Sequence, residues 1–550
     1  MKKIIFSSII GLALIFSSCE KDFDPQIYGS LFSTNFLKTE ADLESYLMTC
    51  YIPFINHWDY RFGGTQNSTQ ASWYLAHRGI YRMFDSPSDF GNPWTVGNWG
   101  GGWLQISQAN FNNTLTWGRN ISDSNPSHYE KIRDITRFTE ILGALERVGP
   151  GILSEQKQKN FTGEVRLLRG LMMYYLYHIY GPVPVIVDPA LIGNFEAESN
   201  LVRPTMEQMS KFIYDDFDYA TKNMVEITST KGRYTADYAR VCLMRHCLNE
   251  GSYMSGYYDK AIEMYEALKA KNKYSLYTTG GADAYANQFK QGYKWNSEVI
   301  MAYSTSASGD GTNAKGDMNP MWLYSVPDNA VQYADLGNTI PTPFVLQGKG
   351  WGQLFNISPE FYDDYEEGDY RKSVILTECW ISVGGRTLCD RSNVGVRWSG
   401  FIQWKYPVEI NQQFQPTDLP LARWADVLLM YAEAVARKTN AIPTGEAMQA
   451  ITDVRARAGL KPMSGDAVAS YDAFMHALLM ERGHELLYEG CRKIDLIRFN
   501  KYRRNVTKYK KMTPTHQYIP IPNFAVNQAT DYGKVLTQFF ERPGYDQDVP

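Results

Sequence analysis

The chain has 550 residues, is 44% hydrophobic and carries a formal net charge of −4. That length can hold several domains, the apolar fraction is ample for a large core, and the near-neutral charge argues against nucleic acid as a partner. Aromatic residues make up 14% of the chain, with 13 Trp and 38 Tyr, which is more than a core needs and predicts exposed rings.

The first 18 residues have the pattern of a signal peptide. Two lysines precede an apolar run over residues 4–16 that is too short to span a bilayer comfortably. Small residues then lead to Cys19, an arrangement that resembles a bacterial lipobox and predicts lipidation of Cys19. Each buried acyl methylene contributes about 0.8 kcal/mol, so a lipidated Cys19 would hold the protein firmly on a membrane. Residues 19–36 follow as a polar, lipidated tether.

Apolar residues at three- and four-residue spacing predict a series of helices after the tether. The predicted helices cover residues 37–56, 102–116, 129–148, 154–180, 204–224, 233–251 and 257–271. Pairs of amphipathic helices of this length suggest tetratricopeptide-like stacking, although the standard repeat consensus is missing.

Two irregular regions interrupt the helices. Residues 57–100 mix Trp and Tyr with Gly, Asn, Ser and Asp, and this aromatic content argues against disorder. Residues 275–415 lose the helical period and contain short β-rich runs. Predicted helices return at residues 420–438, 443–459 and 470–499. The sequence therefore predicts a mainly helical scaffold with two large insertions, which we expect to meet on one side.

Six cysteines remain after Cys19. Four lie in helical patterns and are predicted to be buried thiols: Cys50, Cys242, Cys247 and Cys491. Cys379 and Cys389 flank two glycines in a predicted hairpin, and in an oxidising compartment they are either bridged or two free thiols. No C-x-x-C pair exists, so we expect no structural zinc site.

We find no catalytic motif. The G-x-S-x-G elbow and the P-loop are absent, and His484-Glu485 begins like a zincin helix but has Tyr488 where the second zinc ligand belongs. Two carboxylates meeting in space, as glycosidases require, stay an open alternative. Loop oxygens over residues 310–317 depart from the EF-hand spacing, so either a calcium ion or a solvated turn explains them. We expect no enzymatic activity and no cofactor, with calcium left open.

A stretch near the C-terminus, residues 475–499, combines an apolar helical face with a stripe of Glu481, Glu485 and Glu489. Like charges one turn apart repel by a few tenths of a kcal/mol, so the stripe needs cations. The cations nearest in sequence are Arg482, Arg492 and Lys493. The stripe is either catalytic or an ion-pair ladder that joins helices, and we interpret it as a ladder. Gly490 then interrupts the helix.

Three blocks, which follow one another along the chain as they do in the family, resemble the SusD/RagB family. Residues 481–499, ERGHELLYEGCRKIDLIRF, resemble its E-R-x-x-E-L-x-x-E-G-x-R-x-x-D-L-I-R signature. Residues 419–434, LPLARWADVLLMYAEA, resemble its P-x-x-R-Y-A-D-V-L-L-M-Y-A-E-A block. YIPIPN at residues 518–523, with RPGY at residues 542–545, resembles its closing P-I-P and N-P-G-Y.

The resemblance implies one domain over residues 37–550, mainly α, with a tetratricopeptide-like helical-repeat scaffold and large irregular loop and short-strand insertions. It also implies an outer-membrane lipoprotein at the cell surface, and the acidic run at residues 20–24 is similar to the export signal of Bacteroidetes surface lipoproteins. We therefore expect a protein that captures oligosaccharides and passes them to a SusC-like TonB-dependent transporter. A peptide or other non-sugar nutrient, or a secreted glycoside hydrolase, are the alternatives.

Family members bind ligand with the loop before the first repeat helices and with the central insertion, so the resemblance also indicates the site. The apolar C–H face of a sugar stacks on Trp or Tyr, while its hydroxyls bond to Asn, Asp and Arg. The expected stacking residues are Trp94, Trp99, Trp322, Tyr324 and Trp351. The expected hydrogen-bonding residues are Arg82, Asp85 and Asn98.

Overall fold

A computed structural model of the chain describes residues 37–54, 72–74, 76, 79–93, 101–111, 128–225, 231–305, 319–348 and 350–545, without the side chains of residues 101–103. Within these ranges we find no helix with the length and apolarity needed to cross a membrane. The predicted signal peptide, the tether and Cys19 lie outside the described residues.

Helices dominate the described chain. Up to the central insertion they are α1 Glu40–Met48, α2 Gly101–Ser107, α3 Ile132–Val148, α4 Glu155–Tyr180, α5 Phe195–Glu198, α6 Met206–Asn223, α7 Ala236–Glu250 and α8 Tyr257–Lys269. Within and after the insertion they are α9 Ala284–Asn287, α10 Pro359–Asp363, α11 Trp424–Thr439, α12 Glu446–Arg457, α13 Tyr471–Glu485, α14 Arg492–Arg498, α15 Tyr502–Lys510 and α16 Asn523–Asp531. The predicted mainly α fold is confirmed.

The helices begin and end where local chemistry dictates. Thr39 and Asp42 form a reciprocal capping box at α1, and the Ser154 hydroxyl accepts from the Lys157 amide at the start of α4. Gly181 ends α4 with a φ of 75°, a conformation that glycine adopts without strain. The starts of α1 and α4 thus lie within three residues of the predicted starts, and α4 ends at the predicted residue 180. The predicted helices 37–56 and 102–116 extend beyond the observed ends of α1 at Met48 and α2 at Ser107.

Long helices pack against their neighbours in chain order. Helix α3 packs on α4, α4 on α6, α6 on α7 and α7 on α8. The series then continues across the insertion, because α8 packs on α11 and α11 on α12. Gly170 lets α4 approach α6 closely, since a Cβ there would lie 2.7 Å from the Phe217 ring. This succession of packed helical pairs is the scaffold on which both irregular regions rest.

Three small antiparallel sheets organise the central insertion. One pairs β1 Val299–Tyr303 with β8 Leu419–Arg423; one has the order β2 Ala330–Val331, β5 Cys379–Ser382, β6 Arg386–Cys389; and one has the order β3 Asn356–Ile357, β7 Phe401–Gln403, β4 Ile375–Leu376. The β1–β8 pair joins the two ends of the insertion. Residues 420–423, predicted to start a helix, form strand β8 instead, because this buried apolar run pairs with β1 and α11 begins only at Trp424.

The two cysteines of the predicted hairpin face each other. Cys379 and Cys389 are opposite partners in the β5–β6 ladder, and both are buried free thiols. A hydrogen bond to Cys389, followed by burial, raises the pKa of the Cys379 thiol well above its usual range. In this structure the two cysteines are in register and unbridged.

Glu485, on α13, lies at the centre of a buried ion-pair network. Its carboxylate pairs with Arg371 at 3.3 Å, with Arg423 at 3.0 Å and with Arg457. Burial alone would raise the pKa of Glu485, but these three guanidiniums outweigh it and hold the pKa well below its usual value. The glutamate stripe is therefore an ion-pair ladder in the interior.

The other two glutamates of the stripe extend the network. Glu481 pairs with Arg371 at 2.7 Å and with Arg455 at 2.8 Å. Glu489 pairs with Lys405 at 2.6 Å and with Arg423 at 2.5 Å. Each cation comes from a different part of the chain, so the ladder ties α13 to α12 and to the central insertion.

The cations that we expected from sequence proximity are engaged elsewhere. Arg482 pairs with Asp495 at 2.8 Å, Arg492 pairs with Asp89 at 2.8 Å, and the Lys493 ammonium lies over aromatic rings. The expectation was wrong for two reasons. Arg482 is adjacent to Glu481 on the helix and so points to a different face. Arg492 and Lys493 lie beyond the Gly490 turn on α14, so the helical spacing from Glu489 does not apply to them.

Substitution of the central carboxylate tests this network. We expect Glu485→Gln to lower the free energy of unfolding by roughly 3–5 kcal/mol, because three buried guanidiniums lose their shared counterion. Since the folded-state pKa of Glu485 is depressed, its contribution is present above the unfolded pKa of 4.5 and is lost as the pH falls through the folded value. The difference in the free energy of unfolding between wild type and variant, measured by chemical denaturation, should therefore shrink as the pH falls below 4.5.

The matched control is Glu155→Gln, which removes an exposed carboxylate paired with Lys159 one turn away. Exposed pairs of this kind contribute little, so this variant should unfold like wild type. Wild-type stability of Glu485→Gln would contradict the structural role of the ladder.

Candidate functional site

The segment 79–93, which precedes the aromatic stretch 94–100, is anchored on the turn after α13. Asp85 Oδ2 accepts from the Gly490 amide at 2.6 Å, and Asp85 Oδ1 accepts from the Arg492 amide at 3.1 Å. The Arg492 guanidinium then reaches Asp89, with both of its bonds at 2.8 Å. Two carboxylates of the segment thus bind Gly490 and Arg492 of the C-terminal motif.

Glycine is required at position 490 for two reasons. Its φ is +79°, in the left-handed region that side chains disfavour. A Cβ there would also lie 2.7 Å from the side chain of Ile80. The turn and the segment 79–93 are therefore interlocked.

The same segment joins the central insertion. The Ser358 amide donates to the Phe90 carbonyl at 2.8 Å. The Asn92 amide donates to Asn356 Oδ1 at 2.9 Å, and Asn92 Nδ2 donates to the Ser399 carbonyl at 3.1 Å. The two irregular regions therefore meet, as we expected, and residues 94–100 begin at this junction.

Arg82 and Asp85 lie inside this junction and do not face open solvent. Both side chains are buried, Arg82 donates to Ser86 Oγ at 2.7 Å, and Asp85 holds the Gly490 turn. Burial raises the pKa of Asp85 to about 7, and burial lowers the pKa of Arg82 to about 9. The expectation that these two side chains line an open site is corrected, because both lie in the interior. Asp85 positions the loop on the E-G-x-R turn, which is the sequence signal for its role, and Arg82 bonds within the segment to Ser86.

Trp322 and Tyr324 are also buried, contrary to the expectation of open stacking faces. Trp322 Nε1 donates to the Gln413 carbonyl at 2.5 Å, and Tyr324 packs edge-to-face on Trp351 with centroids 5.8 Å apart. These rings belong to the buried interior of the insertion, together with apolar residues of its short strands. Trp351 is half-buried, so of these three rings it alone keeps part of its surface exposed.

Trp94, Asn98 and Trp99 lie outside the described residues, as do residues 310–317 of the open calcium question. Their roles stay predictions. Among the residues that the structure describes, no group of three or more His, Cys, Asp or Glu could hold a metal ion. His484 is buried and stacked on Tyr365 at 3.9 Å, and burial lowers its pKa well below the usual value.

The chain is similar in sequence and in fold to known proteins. A model described as "SusD family" matches residues 207–539. SusD-like protein P38 of Formosa agariphila is 24% identical over 361 residues, which cover 62% of this chain and 66% of that protein, slightly less than two thirds of its length. A solved "Laminarin binding SusD-like protein" is 21% identical with a TM-score of 0.66, covering 92% of this chain and all of that one. Surface glycan-binding protein A from Bacteroides fluxus is 19% identical with a TM-score of 0.67, also covering 92% of this chain and all of that one.

Burial of Trp322 leads to a specific expectation for substitution. Trp322→Ala should lower the free energy of unfolding by roughly 3–5 kcal/mol, because it leaves a cavity and deprives the Gln413 carbonyl of its donor. Trp351→Ala, which removes a half-buried ring, should cost less. Chemical denaturation of both variants checks this order. A Trp322→Ala protein as stable as wild type that has lost oligosaccharide binding would show that ligand reaches this ring.

Proposed function

The chain belongs to the SusD family, since the family model spans residues 207–539, and from this premise we propose that it is a glycan-binding lipoprotein of the cell surface. It captures oligosaccharides and delivers them to a SusC-like TonB-dependent transporter in the outer membrane. Cys19 carries the lipid that holds it there, and no covalent chemistry on the ligand is involved.

The observation that carries the proposal is the agreement between family and architecture. Solved proteins with this fold include one named for laminarin binding and one named as a surface glycan-binding protein. In this chain the aromatic-rich stretch 94–100 starts at a junction that is hydrogen-bonded on two sides, to the Gly490 turn and to Asn356. Rings presented from a rigid base lose little entropy when a sugar stacks on them.

Delivery requires a large surface shared with the transporter. We propose that the protein covers the transporter like a lid, and lids of this kind need interfaces on the order of 2,000 Å² or more. Because the lipid on Cys19 holds the protein in the same membrane as the barrel, capture and transfer occur at one place.

Ligand class is tested by screening the purified protein against plant, host and microbial glycans and against a peptide panel. We expect binding to a glycan, and calorimetry on that glycan should show weaker binding for Trp94→Ala or Trp99→Ala. Loss of one stacked ring should weaken binding roughly ten-fold or more, by analogy with base–aromatic stacking. Thermal unfolding should be unchanged, because the sequence predicts an irregular segment outside the helices for both rings.

Trp380→Ala is the matched control, since this half-buried ring of the insertion packs edge-to-face on Tyr333 in the β2–β5–β6 sheet. It should bind glycan like wild type. Binding of peptides but of no glycan would replace the proposed ligand, and hydrolysis of an oligosaccharide by the pure protein would favour a glycosidase.

Anchoring is tested by Cys19→Ala. The variant should fold normally and appear in the soluble fraction, because the acyl chains supply the attachment. Fractionation of cells that lack the transporter removes retention through that partner. If the variant still pellets with the outer membrane of these cells, the lipid is not the anchor.

A further inference from the structure

A cavity of about 650 Å³ opens between α12, the start of α11, the loop after α8 and the turn Tyr370–Val374. This volume is in the range of sites for small molecules. Its described lining includes Tyr370, Trp424, Asp453 and Ser275, and none of Arg82, Asp85, Trp322, Tyr324 or Trp351. The cavity is thus separate from the junction described above.

Tyr370 offers this cavity a fixed ring. Its amide donates to the Ala458 carbonyl at 3.0 Å, and the next residue, Arg371, is held by the buried ion-pair network. Gly459 has a φ of +80°, and a Cβ there would lie 2.6 Å from the tyrosine ring, so the ring rests on a bare backbone. The side chain is nevertheless 40% exposed. One part of the ring is backed by protein while the rest is open.

Stacked aromatic rings form the floor. Trp424 stacks on Tyr274 with centroids 6.2 Å apart and an interplanar angle of 24°. The Trp424 amide donates to the Glu298 carbonyl at 2.8 Å, and the Tyr274 hydroxyl donates to Asp237 at 2.9 Å. The Tyr274 ring is therefore fixed through its own hydroxyl, and Trp424 is fixed through its backbone at the start of α11.

The rim is polar. Asp453 is exposed on α12, and its Oδ1 accepts from Gln449 Nε2 at 2.7 Å, which orients the carboxylate. Ser275 and Thr278 are exposed on the opposite loop and carry hydroxyls. Arg457 also lines the cavity, but its guanidinium is committed to Glu298 and Glu485. Of the two charged side chains in the described lining, the exposed one is thus the Asp453 carboxylate, which repels anionic ligands. The nearby Lys273 ammonium lies 5.0 Å from the Tyr274 ring centroid and pairs with Asp237.

We infer that this cavity is a second saccharide site, which takes a neutral pyranose with its C–H face on Tyr370 and its hydroxyls on Asp453. A purely apolar ligand would desolvate the carboxylate without giving it a donor, which is costly. A neutral sugar satisfies both surfaces, because it combines an apolar face with hydroxyl donors. The inference rests on the proposed carbohydrate binding and adds a site to it.

The test separates the two sites by removing the rings proposed for the first site, Trp94 and Trp99. Maltotriose, cellotriose and laminaritriose are titrated into the purified wild type and into the Trp94→Ala, Trp99→Ala double variant, with calorimetry and saturation-transfer NMR as readouts. We expect the double variant to retain binding of a trisaccharide. Adding Tyr370→Ala or Asp453→Asn should weaken this residual binding roughly ten-fold or more.

Tyr293→Ala is the matched control, because Tyr293 is 38% exposed and does not line the cavity. It should leave the residual binding unchanged. Asp453→Asn changes one exposed atom, so it keeps the test valid if Tyr370→Ala does not fold.

Three results would overturn the inference. Residual binding that is insensitive to both Tyr370→Ala and Asp453→Asn places the saccharide elsewhere. A wild type that binds a trisaccharide and a double variant that binds none leaves the proposed function intact and removes the second site. A wild type that binds none of the three trisaccharides, and no glycan in the wider screen, overturns both proposals.

Discussion

The Glu485 carboxylate, with its three guanidiniums, is the constraint on which the rest of the structure depends. It joins Arg371 of the insertion, Arg423 of β8 and Arg457 of α12, which are far apart in sequence. Around it, the buried cations are Arg371, Lys405, Arg423, Arg455 and Arg457. They pair with the buried carboxylates of Glu298, Asp369, Glu481 and Glu485 and with the half-buried carboxylate of Glu489. Five positive groups thus face five negative groups. Such a cluster is tolerable in the interior only because it is balanced, so the insertion cannot leave the scaffold without exposing or unpairing charge.

The residues that follow the ladder extend this constraint to the other irregular region. Immediately after Glu489, the Gly490 turn presents its amide to Asp85, and Arg492 binds Asp89. One short stretch of the C-terminal motif therefore fixes the central insertion through its glutamates and the segment 79–93 through its backbone and arginine. Loops fixed in this way keep their geometry without ligand, which reduces the entropy lost on binding.

The sequence was informative where the cause of structure is local. The 3.6-residue period placed the long helices, and the caps at Thr39 and Ser154 that start two of them are equally local, because neighbouring residues alone determine both. Strand β8 was missed since a short, fully buried apolar run reads equally well as the start of a helix. The partners of the glutamate stripe were missed because they lie up to 114 residues away, as Arg371 does from Glu485. No periodicity reports such pairing, and the same holds for the burial of Trp322.

Aromatic residues of the insertion illustrate what separates a packing ring from a candidate platform. The Trp322 ring is held in the interior by its own indole N–H, which donates to the Gln413 carbonyl. Tyr370 is instead held by its backbone amide, and its ring packs against Gly459, so the ring is fixed and still has an exposed surface. A stacking surface needs both properties, since a mobile ring loses entropy on binding and a buried ring offers no face. Composition predicts that the chain has many aromatic rings. The hydrogen bond of Trp322 and the glycine under Tyr370 decide which of these two rings keeps an exposed surface.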